Sequence, residues 1–364
     1  MSNDVVKALN EANRKVRAST RGLSKLVPSS GPSAGPVPIT PSGLGDIFAA
    51  LLTQLKTTTT TLALAFKPPL SPDAIKPYAD RLEDQVARSV SCVLALAGAA
   101  PPNAGSSALV EAWKSGVMDI GEAVEAFLAV MEDAARTGAV DKEGEQSPYL
   151  AHTGLVHAAI DRLANNFPRT EGEAVGRVWE SQKGTMTDAW DEFKEMLEDD
   201  DEEEEEDFGD DLDDEWGILE APMAKLSVGE RKRAEAAKPV LRLHQILHAT
   251  IPRFLPPLVL SPEESYADLL SVGEVHVGAL DDAVSSFHPV QDSREINKEV
   301  DKLNIEGRAL ATAFAGRLAR AGREHKMYAV AFHFVTRWEA RLAEEVAKWE
   351  ENRVSLIELG DALA

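Results

Sequence analysis

Residues 198–215 read EDDDEEEEEDFGDDLDDE, and this acidic tract divides the chain into two parts. Fifteen of its eighteen residues carry a carboxylate and none is basic, within a chain of 364 residues whose formal net charge is -23. Like charges at this density repel one another, and the tract has almost no apolar side chain to bury. We therefore expect a disordered tether over residues 198–217, joining an N-terminal helical half, residues 1–197, to a C-terminal helical half, residues 218–364.

The composition on either side of the tract predicts folded, intracellular domains. The hydrophobic fraction of 44% is sufficient for real cores, and no apolar run approaches the roughly 20 residues of a membrane span. The N-terminus lacks the apolar core of a signal peptide. The single cysteine, Cys92, excludes an intrachain disulfide and has apolar neighbours, so we expect it to be buried. The strongly negative charge disfavours nucleic acid and favours basic proteins, and without a long apolar run we expect no membrane partner.

Helical periodicity runs through both halves, and no segment has the alternating pattern of a strand. Six helices are predicted before the tract and four after it: about 3–26, 43–66, 71–96, 107–136, 149–166, 170–197, 227–251, 262–287, 292–321 and 325–358. A proline-rich linker at 28–42 separates the first two. Long helices joined by short breaks favour antiparallel up-and-down bundles, with an architecture similar to that of vinculin and talin.

The spacing of apolar residues also predicts which side chains form the cores. Ile47 and Leu155 fall among the apolar residues of the second and fifth helices, and Ile246 among those of the seventh. Thr57–Thr61 have poor helix propensity but are small enough to let helices approach closely. Five tryptophans occupy positions typical of a core: Trp113, Trp179, Trp190, Trp338 and Trp349.

Candidate catalytic residues are not found. His244 and His248 lie one helical turn apart, which is compatible with metal binding, but the glutamate of an HExxH site is replaced by Gln245. We expect these histidines at the edge of an amphipathic face, and His276 has no partner that the sequence can indicate. Nucleophile-elbow, phosphate-binding and paired-cysteine motifs are missing. The sequence therefore predicts a protein that is not an enzyme and needs no metal or cofactor.

Two segments are candidates for binding other molecules. The acidic tract and the tryptophan after it resemble a docking motif for basic proteins, although Trp216 could instead anchor the returning chain on the second half. Arg231, Lys232 and Arg233 could form a nuclear-import signal or simply the solvated first turns of a helix. The predicted partner-binding residues are Asp199, Asp200, Asp201, Glu202, Glu203, Glu204, Glu205, Glu206, Asp207 and Trp216.

Several stretches, in this order and spacing, resemble the cyclin-D-interacting (cyclin-D-binding) protein family. They are Thr59–Pro72 (TTTLALAFKPPLSP), Val117–Glu122 (VMDIGE), Phe167–Ala174 (FPRTEGEA) with the helix that follows, and Leu280–Pro289 (LDDAVSSFHP). The likeness covers roughly residues 45–300. It implies an all-helical, non-enzymatic protein of nucleus and cytoplasm that binds D-type cyclins and helix-loop-helix factors and restrains cell-cycle progression.

The leading hypothesis from the sequence is thus a scaffold that binds helices of partner proteins in a groove between its own helices. Two alternatives stay open. The acidic tract is also typical of a chaperone for histones or other basic proteins, and bundle architecture alone is compatible with a cytoskeletal adaptor.

Overall fold

A computed structural model describes residues 2–25, 41–99, 107–138, 148–198, 225–255, 266–321 and 326–361. All regular structure within these ranges is helical, which confirms the predicted all-α fold. The helices are α1 (Ser2–Ser24), α2 (Pro41–Ala65), α3 (Pro72–Ala99), α4 (Ala108–Thr137), α5 (Pro148–Asn165), α6 (Glu171–Glu198), α7 (Val228–Thr250), α8 (Ala267–Ser285), α9 (Ser293–Ala321) and α10 (Lys326–Asp361), and a 3₁₀ turn (Ile251–Phe254) follows α7.

The described chain divides into two compact units, and the division lies inside α6. The first unit comprises the described residues up to Val175, together with Tyr266 and Ala267; the second comprises those from Gly176 onwards except these two. The sequence predicts that the N-terminal half continues to residue 197, but side chains of α6 beyond Val175 contact α7 and α8 instead. The acidic tract beyond Glu198 lies outside the described residues, so the tether itself stays a prediction.

In the first unit, which we call the first bundle, each of the helices α1 to α5 packs on its neighbours so that together they form a closed ring. α1 packs on α3 and α4, α2 packs on α3 and α5, and α4 packs on α5. Phe48 of α2 stacks on Trp113 of α4 with ring centroids 4.9 Å apart, and Phe167 lies 4.7 Å from Trp113. The Trp113 indole donates a hydrogen bond to the carbonyl oxygen of Pro168 at 2.9 Å, so its polar group is satisfied within the aromatic core.

Glu171, at the start of α6, ties that segment to the start of α4. Its carboxylate accepts hydrogen bonds from the Ser107 hydroxyl at 2.6 Å and from the backbone N–H groups of Ala108 and Leu109 at 2.8 and 3.1 Å. These amides have no partner within their own helix, and the positive end of the helix dipole favours a negative charge there. Glu171 therefore fixes the end of the first bundle.

The sequences TEGE (170–173) and SVGE (227–230) have the pattern of a capping box at the starts of α6 and α7, and the structure forms one of them completely. Ser227 and Glu230 form the complete reciprocal box at the start of α7. At α6 the Thr170 hydroxyl accepts from the Glu173 amide as expected, but the Glu173 carboxylate accepts from the amide of Arg169 at 2.7 Å. In a complete capping box this carboxylate would accept from the amide of Thr170, so the hydrogen bond is shifted by one residue towards the N-terminus.

The second unit, which we call the second bundle, is built from α6 to α10. α10 packs on α7 and α9, and α7 also packs on α9. α6 joins α7 through Trp179, whose indole donates to the carbonyl oxygen of His248 at 3.0 Å, and joins α8 through Gln182, which donates to the carbonyl oxygen of Leu270 at 3.2 Å. α8 and α9 are linked at the surface by Asp282 and Lys302.

The tryptophan and cysteine predictions are confirmed by burial in the structure. All five tryptophans named above are at most 7% exposed, and Cys92 is 8% exposed in α3, where burial raises the pKa of its thiol. Among the helices of the described residues, none is long and apolar enough to cross a bilayer.

Candidate partner-binding surface

The outer face of α2 is unusually apolar because the hydroxyl groups of its threonines form hydrogen bonds within the helix itself. The hydroxyls of Thr53, Thr57 and Thr60 donate to the carbonyl oxygens four residues earlier at 3.0 to 3.2 Å. A threonine hydroxyl bound in this way turns towards its own helix and leaves the methyl group to face outwards. The threonine run is therefore compatible with a helix, and its exposed members present methyl groups on the surface.

Ile47 and Leu64 lie on the same outer face, 48% and 59% exposed. The prediction that Ile47 belongs to the core is wrong, since the apolar side chains of α2 outnumber the positions that face the bundle. From Ile47 onwards the exposed residues of this face are uncharged: Ile47, Ala50, Thr53, Gln54, Thr57, Thr60 and Leu64. The exposed Asp46, one turn before Ala50, ends the uncharged stretch and pairs with Arg169 at 2.9 Å.

The outer face of α5 has the same character. Leu150 and Leu155 are 51% and 57% exposed, and small exposed residues, Ala151, Gly154 and Ala158, complete the face. The predicted core position of Leu155 is also wrong, because the buried side of α5 is formed by Val156, Ala159, Ile160 and Leu163. No charged residue occurs in α5 before Asp161.

Contacts between the two helices join these faces into one surface. Lys56 pairs with Asp161 at 2.6 Å, Thr60 contacts His157 at 3.1 Å, and Phe66 meets Tyr149 with ring centroids 5.2 Å apart. The partner numbers fall along α5 as they rise along α2, so the helices are antiparallel. This register places Leu64 beside the turn of α5 that carries Leu150 and Gly154.

We call the twelve exposed residues of these two faces the α2–α5 surface. Four charged side chains occur in the two helices, and two of them, Lys56 and Asp161, neutralise each other. The other two, Asp46 and Arg162, are exposed and border the surface at the start of α2 and near the end of α5. The exposed face of α1, by contrast, carries six charges: Asp4, Lys7, Glu11, Arg14, Arg17 and Arg21. A contiguous uncharged area on a protein with a net charge of -23 is typical of a surface that another protein covers.

A second unusual cluster is buried in the second bundle. His244, His248 and His276 have no exposed area, so the prediction that the first two lie at the edge of a face is wrong. The Nδ1 atom of His244 lies 3.0 Å from Nε2 of His276, and its Nε2 atom lies 3.1 Å from Oδ1 of Asn304. His248 contacts Gln182 through Nε2 at 3.3 Å. We call these five residues the histidine network.

Burial keeps the histidines of this network neutral. Desolvation lowers the pKa of His244 to about 4, although the hydrogen bond with Asn304 opposes it and the charge of Arg308 adds to it. Desolvation and the nearby charge of Lys183 lower the pKa of His248 to about 4. Desolvation, followed by the two neighbouring imidazoles, holds the pKa of His276 well below its usual range.

The geometry does not favour metal binding at these histidines. Both ring nitrogens of His244 are engaged with other side chains, so a metal ion would have to displace one of those contacts. In the part of the chain that the structure describes, no group of three or more His, Cys, Asp or Glu side chains is arranged to hold a metal ion.

The binding residues predicted from the sequence are only partly visible. The acidic residues from Asp199 to Asp207 and Trp216 lie outside the described residues. Arg231, Lys232 and Arg233 lie near the start of α7, where Arg231 lies 3.5 Å from Glu235 and Arg233 donates to Gln291 at 2.9 Å. The structure thus places part of the basic triplet in contacts within the second bundle.

Sequence reasoning missed the α2–α5 surface, although its signal was present. The stretch from Ile47 to Phe66 contains a single charged residue, Lys56, and α5 has none in its first thirteen residues. An apolar helix that also carries many small residues has more apolar surface than one face can bury, and the excess must lie outside. That excess identifies the surface once the register of the two helices is known.

Comparison with known proteins relates this region to one family. The family model described as "Grap2 and cyclin-D-interacting, N-terminal" matches residues 48–199, from Phe48 in α2 to just beyond α6. The match includes every member of the α2–α5 surface except Ile47. A comparison with curated proteins finds no match. Over residues 48–199 the chain is therefore similar to the Grap2 and cyclin-D-interacting family, which confirms over this part of the chain the resemblance that its sequence indicates.

Proposed function

We propose that the protein is a non-enzymatic scaffold that binds a D-type cyclin or a helix-loop-helix factor through the α2–α5 surface. In this proposal the interaction restrains cell-cycle progression, and the protein acts in nucleus and cytoplasm. The observation that carries the proposal is that every member of the α2–α5 surface except Ile47 lies within the residues that match the cyclin-D-interacting family.

The composition of the surface supports a helical segment as the occupant. Ala50, Ala151, Gly154 and Ala158 have side chains small enough for another helix to approach the seam between α2 and α5 closely. Covering apolar area contributes about 25 cal/mol per Å², and an uncharged surface has few groups whose desolvation opposes binding. An amphipathic helix with an apolar, uncharged contact face fits these conditions, as in other helix-in-groove complexes.

The surface offers clear anchor positions for such a helix. Leu64, Leu150 and Leu155 are each more than half exposed and project from a background of small side chains. Interfaces concentrate their energy in a few large apolar residues surrounded by near-neutral contacts. We therefore expect these three leucines to carry most of the binding energy.

The proposal is tested by placing a carboxylate in the middle of the surface without disturbing the fold. A side chain at Gly154 would meet no atom within 4 Å, so Gly154→Glu and Leu155→Glu should leave the bundle folded. The matched control is Gly278→Glu in α8, where a side chain also meets nothing within 4 Å. Binding of purified D-type cyclin and helix-loop-helix proteins would be measured by calorimetry.

We expect each surface variant to bind the true partner about tenfold or more weakly, because a buried, unpaired carboxylate is costly. The control should bind within about twofold of the parent chain. Equal binding by all variants would place the partner elsewhere on the protein. Failure of the parent chain to bind any member of either partner class would reject the partner assignment itself.

A further inference from the structure

The histidine network connects every helix of the second bundle. α6 supplies Gln182, α7 supplies His244 and His248, α8 supplies His276 and α9 supplies Asn304. From α10 the Trp338 ring meets His244 edge-on at 5.6 Å. A buried polar group that links five helices couples its own protonation to the packing of all five.

The hydrogen bonds fix where the imidazole protons lie. Gln182 donates through Nε2 to the carbonyl oxygen of Leu270, so its Oε1 faces His248 as an acceptor and His248 carries its hydrogen on Nε2. The Asn304 oxygen likewise requires a hydrogen on Nε2 of His244, whose Nδ1 then accepts from His276. The Nδ1 atoms of His248 and His276 are left as bare lone pairs, buried and without a partner.

Within the part of the chain that the structure describes, no anionic group acts on these lone pairs to compensate a positive charge. The charged groups that act on the network are Lys183 from α6 and Arg308 from α9, and both are cationic. α7 and α8 face it with the histidines themselves, and α10 faces it with the uncharged Trp338. Among the described residues no carboxylate hydrogen-bonds to any of the three imidazoles. A proton taken up here would be an unpaired buried charge.

The packing also prevents the imidazoles from turning to solvent. A Cβ atom at Gly307 of α9 would lie 2.3 Å from two atoms of the His244 ring, and one at Gly273 of α8 would lie 2.9 Å from Oε1 of Gln182. At Gly307 only glycine leaves room for the His244 ring, so this ring lies directly against the backbone of α9. Hydration of a protonated imidazole therefore requires the helices to separate.

We propose that the histidine network is a proton-operated switch that opens the second bundle in mild acid while the first bundle stays folded. Histidines in an opened bundle take up protons below their ordinary pKa of 6.5, whereas His244 and His248 in the closed bundle do so only near 4. Because the open state binds more protons between these values, acid favours opening. Each of these two histidines shifts the opening equilibrium about 30-fold between pH 8 and pH 5.

The first bundle provides the internal reference. The histidines in helices α1 to α5 are His152 and His157, and neither of them is fully buried. Its buried thiol, Cys92, is the single cysteine of the chain and so reports opening of this bundle alone. A second reporter is Ala279→Cys in a Cys92→Ala background, since Ala279 is 1% exposed in α8.

The experiment measures how fast dithiodipyridine labels each thiol in the full chain at pH 7.5 and pH 5, relative to a free thiol at the same pH. We expect labelling at position 279 to accelerate at least tenfold at pH 5 and labelling of Cys92 to change by less than twofold. Replacing His276 by Gln should reduce the acceleration, whereas His333→Gln, at an exposed position of α10, should not. Equal acceleration at both thiols, or none at position 279, would overturn the proposal.

A second measurement needs no network variant and so does not depend on how well such variants fold. Imidazole chemical shifts of the parent chain would be followed by NMR from pH 8 to pH 5.5. The proposal requires three histidines that stay neutral in the folded state throughout this range. Titration of His244, His248 and His276 near 6.5 in the folded protein would reject the switch.

Discussion

The two bundles differ in where they place their unusual residues. The first bundle has an aromatic and aliphatic core around Trp113 and an uncharged outer surface on α2 and α5. The second bundle also has exposed apolar side chains, Val275, Ile305 and Phe332 among them, but its core is interrupted by three neutral histidines. Both bundles are all-helical, so these differences in the placement of polar and apolar residues leave the fold class unchanged. The comparison teaches that the two proposed sites rest on different anomalies: a stretch of exposed side chains without charge on α2 and α5, and a group of titratable side chains inside the second bundle.

The largest effect on stability is expected from a substitution in the core of the first bundle. Trp113→Ala removes a fully buried ring that contacts Phe48 and Phe167 and leaves the Pro168 carbonyl without its donor. We expect a loss of about 3–5 kcal/mol in the free energy of unfolding. Hydrogen exchange resolved by peptide should show the loss in α1 to α5. An equal loss of protection in α7 to α10 would contradict the independence of the two bundles.

A smaller effect on stability, confined to the second bundle, is expected from substitutions of glycines in α9. Gly307→Ala places a methyl group against the His244 ring and should destabilise the second bundle by about 1–3 kcal/mol, because the ring must shift within a packed core. Gly316→Ala on the same helix meets nothing within 4 Å and should stabilise by about 0.4–1 kcal/mol. Thermal unfolding of the two variants compares them directly, and changes of the same sign would argue against the tight packing of His244.

Removing the carboxylate that joins α6 to α4 should have a more modest effect. Glu171→Ala leaves the backbone amides of Ala108 and Leu109 without their acceptor and should cost about 1–2 kcal/mol in the first bundle. The matched control is Glu180→Ala, also on α6. It removes a carboxylate that pairs with Lys183 at the surface. Chemical denaturation should separate the two, and equal midpoints would show that the cap contributes nothing measurable.

The smallest effect on stability is expected from the acidic tract. Deleting Asp199–Glu215 should change the melting temperature of either bundle little, because a solvated tether buries no apolar surface. The same deletion should slow association with a basic partner at low salt, where long-range attraction is strongest. Stopped-flow rates at two ionic strengths measure this. Unfolding of either bundle upon deletion would contradict the tether.

Much of the fold could be predicted from the sequence because helices depend on local signals. The helices expected from about 71 and 227 start at Pro72 and, after the Ser227 cap, at Val228, because proline and capping residues act within a single turn. The assignment of α6 to a bundle could not be predicted in this way. It depends on which helices Trp179 and Phe193 meet, and those contacts are made with residues far away in the sequence.

The site was harder to predict because hydrophobicity is only one reason for burial. On α7 the buried face is formed by Leu241, His244, Leu247 and His248, whereas Ile246 is 38% exposed. Ranking side chains by hydrophobicity puts Ile246 inside and His244 at the edge, the reverse of what the structure shows. Histidines at helical spacing from Leu241 were the available signal, but His276 on α8, which completes the network, could only be found in three dimensions.

The central claim, that the α2–α5 surface is the partner-binding site, is tested most directly by a footprint. Hydrogen exchange would be measured on the full chain alone and saturated with the D-type cyclin or helix-loop-helix protein that binds it. The account predicts slower exchange in peptides covering residues 47–64 and 150–158, with α9 and α10 unchanged. Protection confined to α7–α10, with residues 47–64 and 150–158 exchanging as in the free chain, would contradict it.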